Sequence, residues 1–366
     1  MILTIFIAAI QIGLALQASK NLKRFRMLQV SERAEDYEKL SVCVPMRNEA
    51  KNADRILSEL IREKELIHEI WILDDGSTDD TQQILLKYQK RYPELVHIMR
   101  GKEKPDDWKG KIWAMRQLAG SATAELILFL DADVHIHEGA IIALLTEQRV
   151  TNAAYLSIFP KQNTSSATDM LINHIYTSLL HLLPMQLIDD ARYPGAVAGC
   201  GQVQLVHKKT LASIGGLESV RTTLHDGLQI ARKVKKAGGE VRFAYGGKLF
   251  SGTMYESFSE AWKGFRRNAF EATGGYLPLL ATTSILVISF VLAPITIVAG
   301  KLPAYIIVAS SVALYGNYLR ISKRFDLSPF FIVRLPFSVI LSTLLQWSSV
   351  VRHTLGMKET WRGRKV

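Results

Sequence analysis

Asp131 and Asp133 stand one residue apart at the exit of a continuous apolar run, in LILFLDADV from Leu126 to Val134. Two carboxylates held this close repel one another unless a cation lies between them. Hard divalent ions such as Mg2+ or Mn2+ take carboxylate oxygens and keep coordination positions open for phosphate oxygens. The pair therefore reads as a place where a metal neutralises a bound diphosphate. Taken alone, Asp-Ala-Asp has a plainer reading, in which the carboxylates cap the next helix. His135 and His137 follow at once and are zinc-ligand types, but a loop placement with no third histidine nearby disfavours zinc.

Two more apolar runs end in polar clusters: LSVCVPM runs into Arg47-Asn48-Glu49, and HEIWILDDGS ends in Asp74 and Asp75. Between and after them lie ADRILSELIREK, DDTQQILLKYQKRY and KIWAMRQLAGSA, each with apolar residues at helical spacing. Ser77 or Asp79 is available to cap the second of these helices. Short strands alternating with amphipathic helices predict an α/β fold, with a mostly parallel sheet and helices on both faces. Such sheets bind ligands outside the carboxyl ends of their strands. The three polar clusters are predicted to converge there.

The motifs VPMRNE, LDDGSTDDT, the Gly110-Lys111 pair, FLDAD and the later GGLE with LHDGLQIARKVKKAGGEV occur in this order between about residues 40 and 275. The set resembles the family 2 glycosyltransferases, and so implies a GT-A-like fold. The terminal apolar segments and the closing WRGRKV resemble the membrane-bound branch that glycosylates carotenoid lipids of diaponeurosporenoate type or hopanoids. The resemblance implies an inverting transfer from a UDP-sugar to a hydroxyl or carboxyl of a membrane lipid, with Mn2+ or Mg2+ as cofactor. Pro45, Arg47 and Glu49 would line the uridine pocket, Asp75 would accept from the uracil N–H, and Asp74 would be structural. Lys111 would lie near the diphosphate, Asp131 would touch the ribose or the metal, and Asp133 would bind the metal directly.

Asp226 matches the family's base, and a single carboxylate taking the acceptor's proton is the chemistry of direct displacement. Its plainer reading is an N-cap aspartate. Arg232 matches a family arginine of structural type. The family often has Thr-Glu before the base; Leu224-His225 stands here, so His225 either orients Asp226 or lines the pocket. The Gln-x-x-Arg-Trp element of polymer synthases is reduced to Lys263-Gly264-Phe265-Arg266-Arg267. Loss of the stacking Trp argues against the alternative of a processive polysaccharide synthase. Arg266 and Arg267 would clamp the diphosphate or touch anionic headgroups. In the tail, Trp361, Arg362 and Arg364 would close over the donor or anchor the chain at the membrane surface. A non-catalytic scaffold retaining the nucleotide fold is a further alternative, against which the joint presence of Asp75, Asp131, Asp133 and Asp226 speaks.

The remaining sequence places this machinery on a membrane. Hydrophobic residues make up 48% of the 366, enough for one large domain with added elements. MILTIFIAAIQIGLAL opens the chain, and three apolar segments follow near its end, beginning at about Leu277, Leu302 and Phe330. The basic flanks KNLKRFR and RISKRF predict a multi-pass protein of the cell membrane with its catalytic part in the cytoplasm. The fourth segment carries Arg334 and Pro336 and precedes a basic tail, so a re-entrant or interfacial course is expected for it. The expected division is an anchor over 1–20, a catalytic domain over 38–275, membrane segments over 276–352 and a tail over 353–366. DMLINHIYTSLLHLLPMQL is predicted as either an interfacial helix or a helix packed on the sheet. The net charge of +11 suits an anionic partner. The basic residues cluster at apolar flanks without an aromatic-basic RNA motif, so no nucleic acid is expected, and no obligate protein partner is inferred. Cys43 and Cys200 are too few for a disulfide framework.

Overall fold

The apolar runs become buried strands. Every residue of Leu126–Leu130 is buried, as is nearly every residue of Leu40–Met46. Runs with two buried faces belong in the middle of a sheet covered on both sides. The computed structural model describes residues 1–30, 37–298, 304–357, 360–361 and 364–365. It divides into two units, one of Arg26–Asn163 with Leu187–Thr253 and one of Met1–Phe25, Thr164–Gln186 and Met254–Val366.

The first unit is built on eleven strands: β1 (Arg26–Met27), β2 (Leu40–Met46), β3 (Glu69–Asp74), β4 (Val96–Arg100), β5 (Leu126–Leu130), β6 (Val134–Ile136), β7 (Tyr155–Phe159), β8 (Lys161–Gln162), β9 (Val203–His207), β10 (Val241–Tyr245) and β11 (Phe250–Gly252). Eight form one sheet in the order β1-β10-β7-β9-β5-β2-β3-β4, and β6-β11-β8 form a smaller one. The large sheet is mostly parallel, as expected; β9 alone runs antiparallel to its neighbours β5 and β7. The parallel trio β5-β2-β3 brings the ends of LILFL, LSVCVPM and EIWILD to one edge, so the three polar clusters share it.

Glu69 fixes this trio. It is 5% exposed. Its Oε1 accepts from Ser41 Oγ of β2 at 2.5 Å and from the Thr123 N–H and hydroxyl ahead of β5 at 2.6 and 2.9 Å. Burial works to raise its pKa, but these donors together hold the carboxyl at about 2.

The second unit is helical. Three of its helices are long and apolar enough to cross a membrane: Ile2–Arg24, Tyr276–Val298 and Phe331–Thr354. The third apolar segment forms the helix Ala304–Phe325, which is not among those three. The fourth is one unbroken helix of 24 residues. Its Pro336 lies in the second turn, where its missing N–H removes one backbone hydrogen bond without ending the helix. The segment after Ser165 forms the helix Ser166–Leu182 within this unit. It meets the apolar helices: Asn21 Nδ2 donates to the carbonyls of Leu180 and Leu183 at 2.8 and 2.7 Å. Ile288–Leu292 is a π turn, and Gln11 Nε2 donates to the Ser289 carbonyl there at 2.9 Å. In an apolar medium such polar groups are kept only where they find a partner.

Candidate active site

Two loops at the β2 and β3 ends are stitched together. Arg47 donates from Nη1 to the Asp75 carbonyl at 2.7 Å, and the same nitrogen lies 3.8 Å from Asp75 Oδ2. Asn48, at φ 53°, accepts from the Thr78 N–H at 2.8 Å. Asp74 Oδ1 accepts from the Ser77 N–H at 2.9 Å, which is a turn-forming role. Ser77 does not cap the following helix; its hydroxyl accepts from the Asn48 N–H at 3.0 Å. Asp79 serves two helix starts, accepting from the N–H of Thr81 and, at 3.1 Å, of Ala50. Glu49 is buried and accepts from Asn52 Nδ2 at 2.7 Å. Pro45 lies inside β2, opposite Leu73 of β3.

Lys111 is the hub of the site. It sits in the first turn of the helix Gly110–Ser121. Its Nζ lies 2.7 Å from Asp131 Oδ1 and 3.0 Å from Asp226 Oδ2, and donates to the Gly201 carbonyl at 2.8 Å. Asp131 follows β5 and is fixed by its N–H, which donates to the Gln202 carbonyl at 2.9 Å. Asp226 is the first residue of the helix Asp226–Lys236, and His225 occupies the cap position without a side-chain cap bond. The Asp226 carboxylate reaches sideways to Lys111 and to Gln204 Nε2, at 2.9 Å. Arg232 pairs with Gln229 of its own helix at 3.0 Å.

The three charges act as one coupled group. Burial pushes Asp226 up, but the charge and hydrogen bond of Lys111, with help from His225 and Gln204, leave it below the usual carboxylate range. Asp131 is raised, by burial first and by the charges of Asp226 and Glu49, against the pull of Lys111. Burial pulls Lys111 down, and the two aspartates outweigh it and raise it. Cys200 nearby is pushed up by burial to about 12, which excludes a thiolate nucleophile at neutral pH.

Residues missed from sequence complete the site. Gln204 of β9 is aimed by Tyr155, whose hydroxyl lies 2.8 Å from Gln204 Oε1 and 3.1 Å from the Gly227 carbonyl. Gly201 is required sterically, since a Cβ there would stand 2.3 Å from Asp226 Oδ1. Gly199 and Gly227 face each other, a Cβ on Gly199 falling 2.4 Å from the Gly227 carbonyl oxygen. The signal was the Gly-Cys-Gly triplet ahead of the apolar run VQLVH.

Asp131 and Asp133 suit a divalent metal by donor type: both offer carboxylate oxygens, and both are half-buried and so reachable. Asp131 and Asp226 share the one Lys111 ammonium. Among the described residues no three His, Cys, Asp or Glu side chains form a cluster that would hold a metal by themselves. The histidines considered for zinc are engaged otherwise: His135 Nδ1 lies 3.2 Å from Glu59 Oε1 and His137 Nε2 lies 2.9 Å from Ser251 Oγ. Arg266 and Arg267 lie on the helix Phe258–Thr273 of the helical unit. Arg362 lies outside the described residues. Trp361 and Arg364 face each other in a short antiparallel ribbon of which the backbone is described.

The family model described as Glycosyl transferase family 2 matches residues 41–215. The 4,4'-diaponeurosporenoate glycosyltransferase of Staphylococcus aureus (strain USA300) is 23% identical over 260 residues, which is 69% of this chain and 66% of that protein. The chain thus matches just under two-thirds of that relative's length. The solved structure of a mannosyltransferase from Pyrobaculum calidifontis, in complex with GDP-Man and Mn2+, superposes with a TM-score of 0.56 at 16% identity. That match covers 93% of this chain and 98% of that one, and it establishes the fold. Residues 41–215, which run from β2 through β9 and carry Asp75, Lys111, Asp131 and Asp133, thus match the Glycosyl transferase family 2 model, and the chain has a GT-A-like fold.

Proposed function

We propose that the chain transfers a sugar from a UDP-sugar to a membrane lipid, with inversion at the anomeric carbon. The observation that carries this reading is the single contact network in which Lys111 joins Asp131 to Asp226. It sets a diphosphate-side carboxylate and a base beside one another. Asp75 and Arg47 hold the base and ribose end of the donor. Asp131 and Asp133 would hold a divalent cation, which when bound supplies positive charge against the leaving diphosphate. Lys111 orients both aspartates and adds charge on the same side. Asp226 takes the proton from the acceptor hydroxyl as its oxygen bonds to the sugar carbon and the bond to the diphosphate breaks. One carboxylate on the acceptor side gives one displacement and hence inversion. A base is useful to a hydroxyl acceptor; a carboxylic acid is already ionised at neutral pH. Between the hydroxyl and carboxyl acceptors of this class, Asp226 favours the hydroxyl. A lipid acceptor fits the three long apolar helices and what the name of the Staphylococcus aureus relative says of that protein.

The test is a panel of UDP-sugars and GDP-mannose offered to the detergent-solubilised full chain with lipid extract, with Mn2+ or with a chelator. Metal-dependent UDP release and a glycosylated lipid are expected for at least one UDP-sugar, and neither for Asp133→Ala. A chain that turned over no donor under any of these conditions would be a scaffold.

The same reading makes the protein multi-pass with the catalytic unit in the cytoplasm. It rests on the basic residues Lys323 and Arg324 that end the helix Ala304–Phe325 and on Lys23 and Arg24 that end the first helix. Arg334 and Arg352 near the two ends of Phe331–Thr354 suit a helix lying in the interface. Reporters fused after Phe325 and after Val366 are both expected to signal cytoplasm. An external signal after Phe325 would invert the proposed orientation, and one after Val366 would make the last helix a crossing.

A further inference from the structure

The polypeptide leaving Asp133 enters β6, which pairs antiparallel with β11, and β11 pairs in parallel with β8. The register sets His135 opposite Ser251 and Ser251 opposite Lys161. Residues directly opposite one another in a sheet present their side chains on one face. Val134 and Ile136 on either side of His135 are buried, and His135 is half-buried, so the polar rung is the open one. This face borders a cavity of about 440 Å³ lined by His135, His137, Lys161, Asn163, Lys248 and Ser251.

The composition of the lining is one-sided. Among the described lining residues two carry ammonium groups, four more have side chains that can donate hydrogen bonds, Gly247 offers backbone alone, and none is a carboxylate. Glu59, the carboxylate behind His135, is already engaged: Arg55 Nη1 donates to its Oε2 at 3.0 Å and the Ile136 N–H donates to the same oxygen at 2.8 Å. The rings of His135 and His137 stack, with centroids 6.3 Å apart, so both edges are held in place. If Ser251 donates to His137 Nε2, the neutral ring carries its proton on Nδ1 and can donate there. A carboxylate offers two oxygens to such a set, whereas a phosphate offers three or four to charge-assisted bonds. The volume exceeds that of a bare phosphate and leaves room for the group attached to it.

The strand that carries Ser251 packs against the backbone of Asp133. A Cβ on Gly252, one residue beyond Ser251, would stand 3.1 Å from the Asp133 carbonyl oxygen.

The geometry points to a second anion site: the cavity beyond Asp133 binds the phosphate of a phosphorylated headgroup, which the lipid acceptor carries. Naming the ligand as the acceptor rests on the sugar-transfer reading; the anion site itself does not. Lys161 and Lys248 provide the charge, and Asn163, Ser251 and the histidines fix its position.

The test is calorimetric titration of the detergent-solubilised full chain, saturated with UDP and Mn2+ so that the donor site is filled. The probes are glycerol 3-phosphate, as a headgroup, and inorganic phosphate. The parent is expected to bind glycerol 3-phosphate, and the double variant Lys161→Ala/Lys248→Ala to bind it at least tenfold more weakly, with UDP affinity and circular dichroism unchanged. Absence of binding in the parent, or equal binding in the double variant, would overturn the site. Binding of inorganic phosphate alone would overturn the headgroup assignment. If no donor turns over but the double variant still loses glycerol 3-phosphate, the anion site stands and the sugar-transfer reading falls.

Discussion

Asp226→Asn is expected to lower sugar transfer to the lipid by about 10²-fold or more, the scale of losing a general base, while UDP and metal still bind. The expectation rests on where the carboxylate goes. A capping aspartate would turn back onto backbone N–H groups, and Asn would replace it at little cost. Here the cap position belongs to His225, and Asp226 points to Gln204 Nε2 and Lys111 Nζ. The helix N-terminus and Lys111 both favour the ionised form. Its pKa lies below the ordinary carboxylate value, so at neutral pH the group is ready to accept a proton. Asn keeps the size and can still meet Lys111 through its amide oxygen, so the fold should survive. Parent-like transfer by the Asn variant, measured as glycosylated lipid per minute at saturating donor, would show that Asp226 does not take the proton.

The strands β2, β3 and β5 were legible because each is a short apolar run ending in a polar cluster, and the convergence of those ends follows from parallel pairing. The run before Asp131 and the alternation with amphipathic helices carry that information locally. The partners of Asp226 were not legible in the same way. Gln204 sits in VQLVH, a run that specifies a buried strand but neither its direction nor its neighbours. That β9 runs antiparallel, and so delivers Gln204 to Asp226, is settled by tertiary packing. Lys111 was expected at the diphosphate from its motif, yet its bridge to Asp226 joins residues 115 apart in the chain, which no local pattern records. Asp79 was expected at the N-cap, but Asp80 holds that position, and Asp79 one residue earlier reaches the N–H of Thr81 and, where two loops meet, of Ala50. In the fourth apolar segment Arg334 and Pro336 interrupt the hydropathy. Both fall near the start of the helix, where neither breaks it.

Lys111→Met is expected to reduce donor turnover by about 10²–10³-fold, the scale of removing one preorganised donor to a developing negative charge. Some loss of stability is also expected, because the buried Asp226 carboxylate is left without its ammonium partner. The sign of a second effect follows from the charges. Burial alone would raise Asp226, and it is chiefly the ammonium of Lys111 that brings the carboxyl below its usual range. Without that ammonium, burial acts unopposed and Asp131 repels Asp226, so the Asp226 pKa rises. The acid limb of the pH–rate profile should then move to higher pH, and the variant should lose more activity at pH 6 than at pH 8 relative to the parent. Lys111→Arg restores the charge but not the shape. Nζ meets three oxygens within 3.0 Å, and a planar guanidinium cannot reproduce that tripod. Incomplete rescue by Arg is therefore expected. A Lys111→Met variant that melted lower but kept its turnover per folded molecule and its acid limb would reduce Lys111 to a structural tie. The link between the metal-side and acceptor-side aspartates would then carry no chemistry.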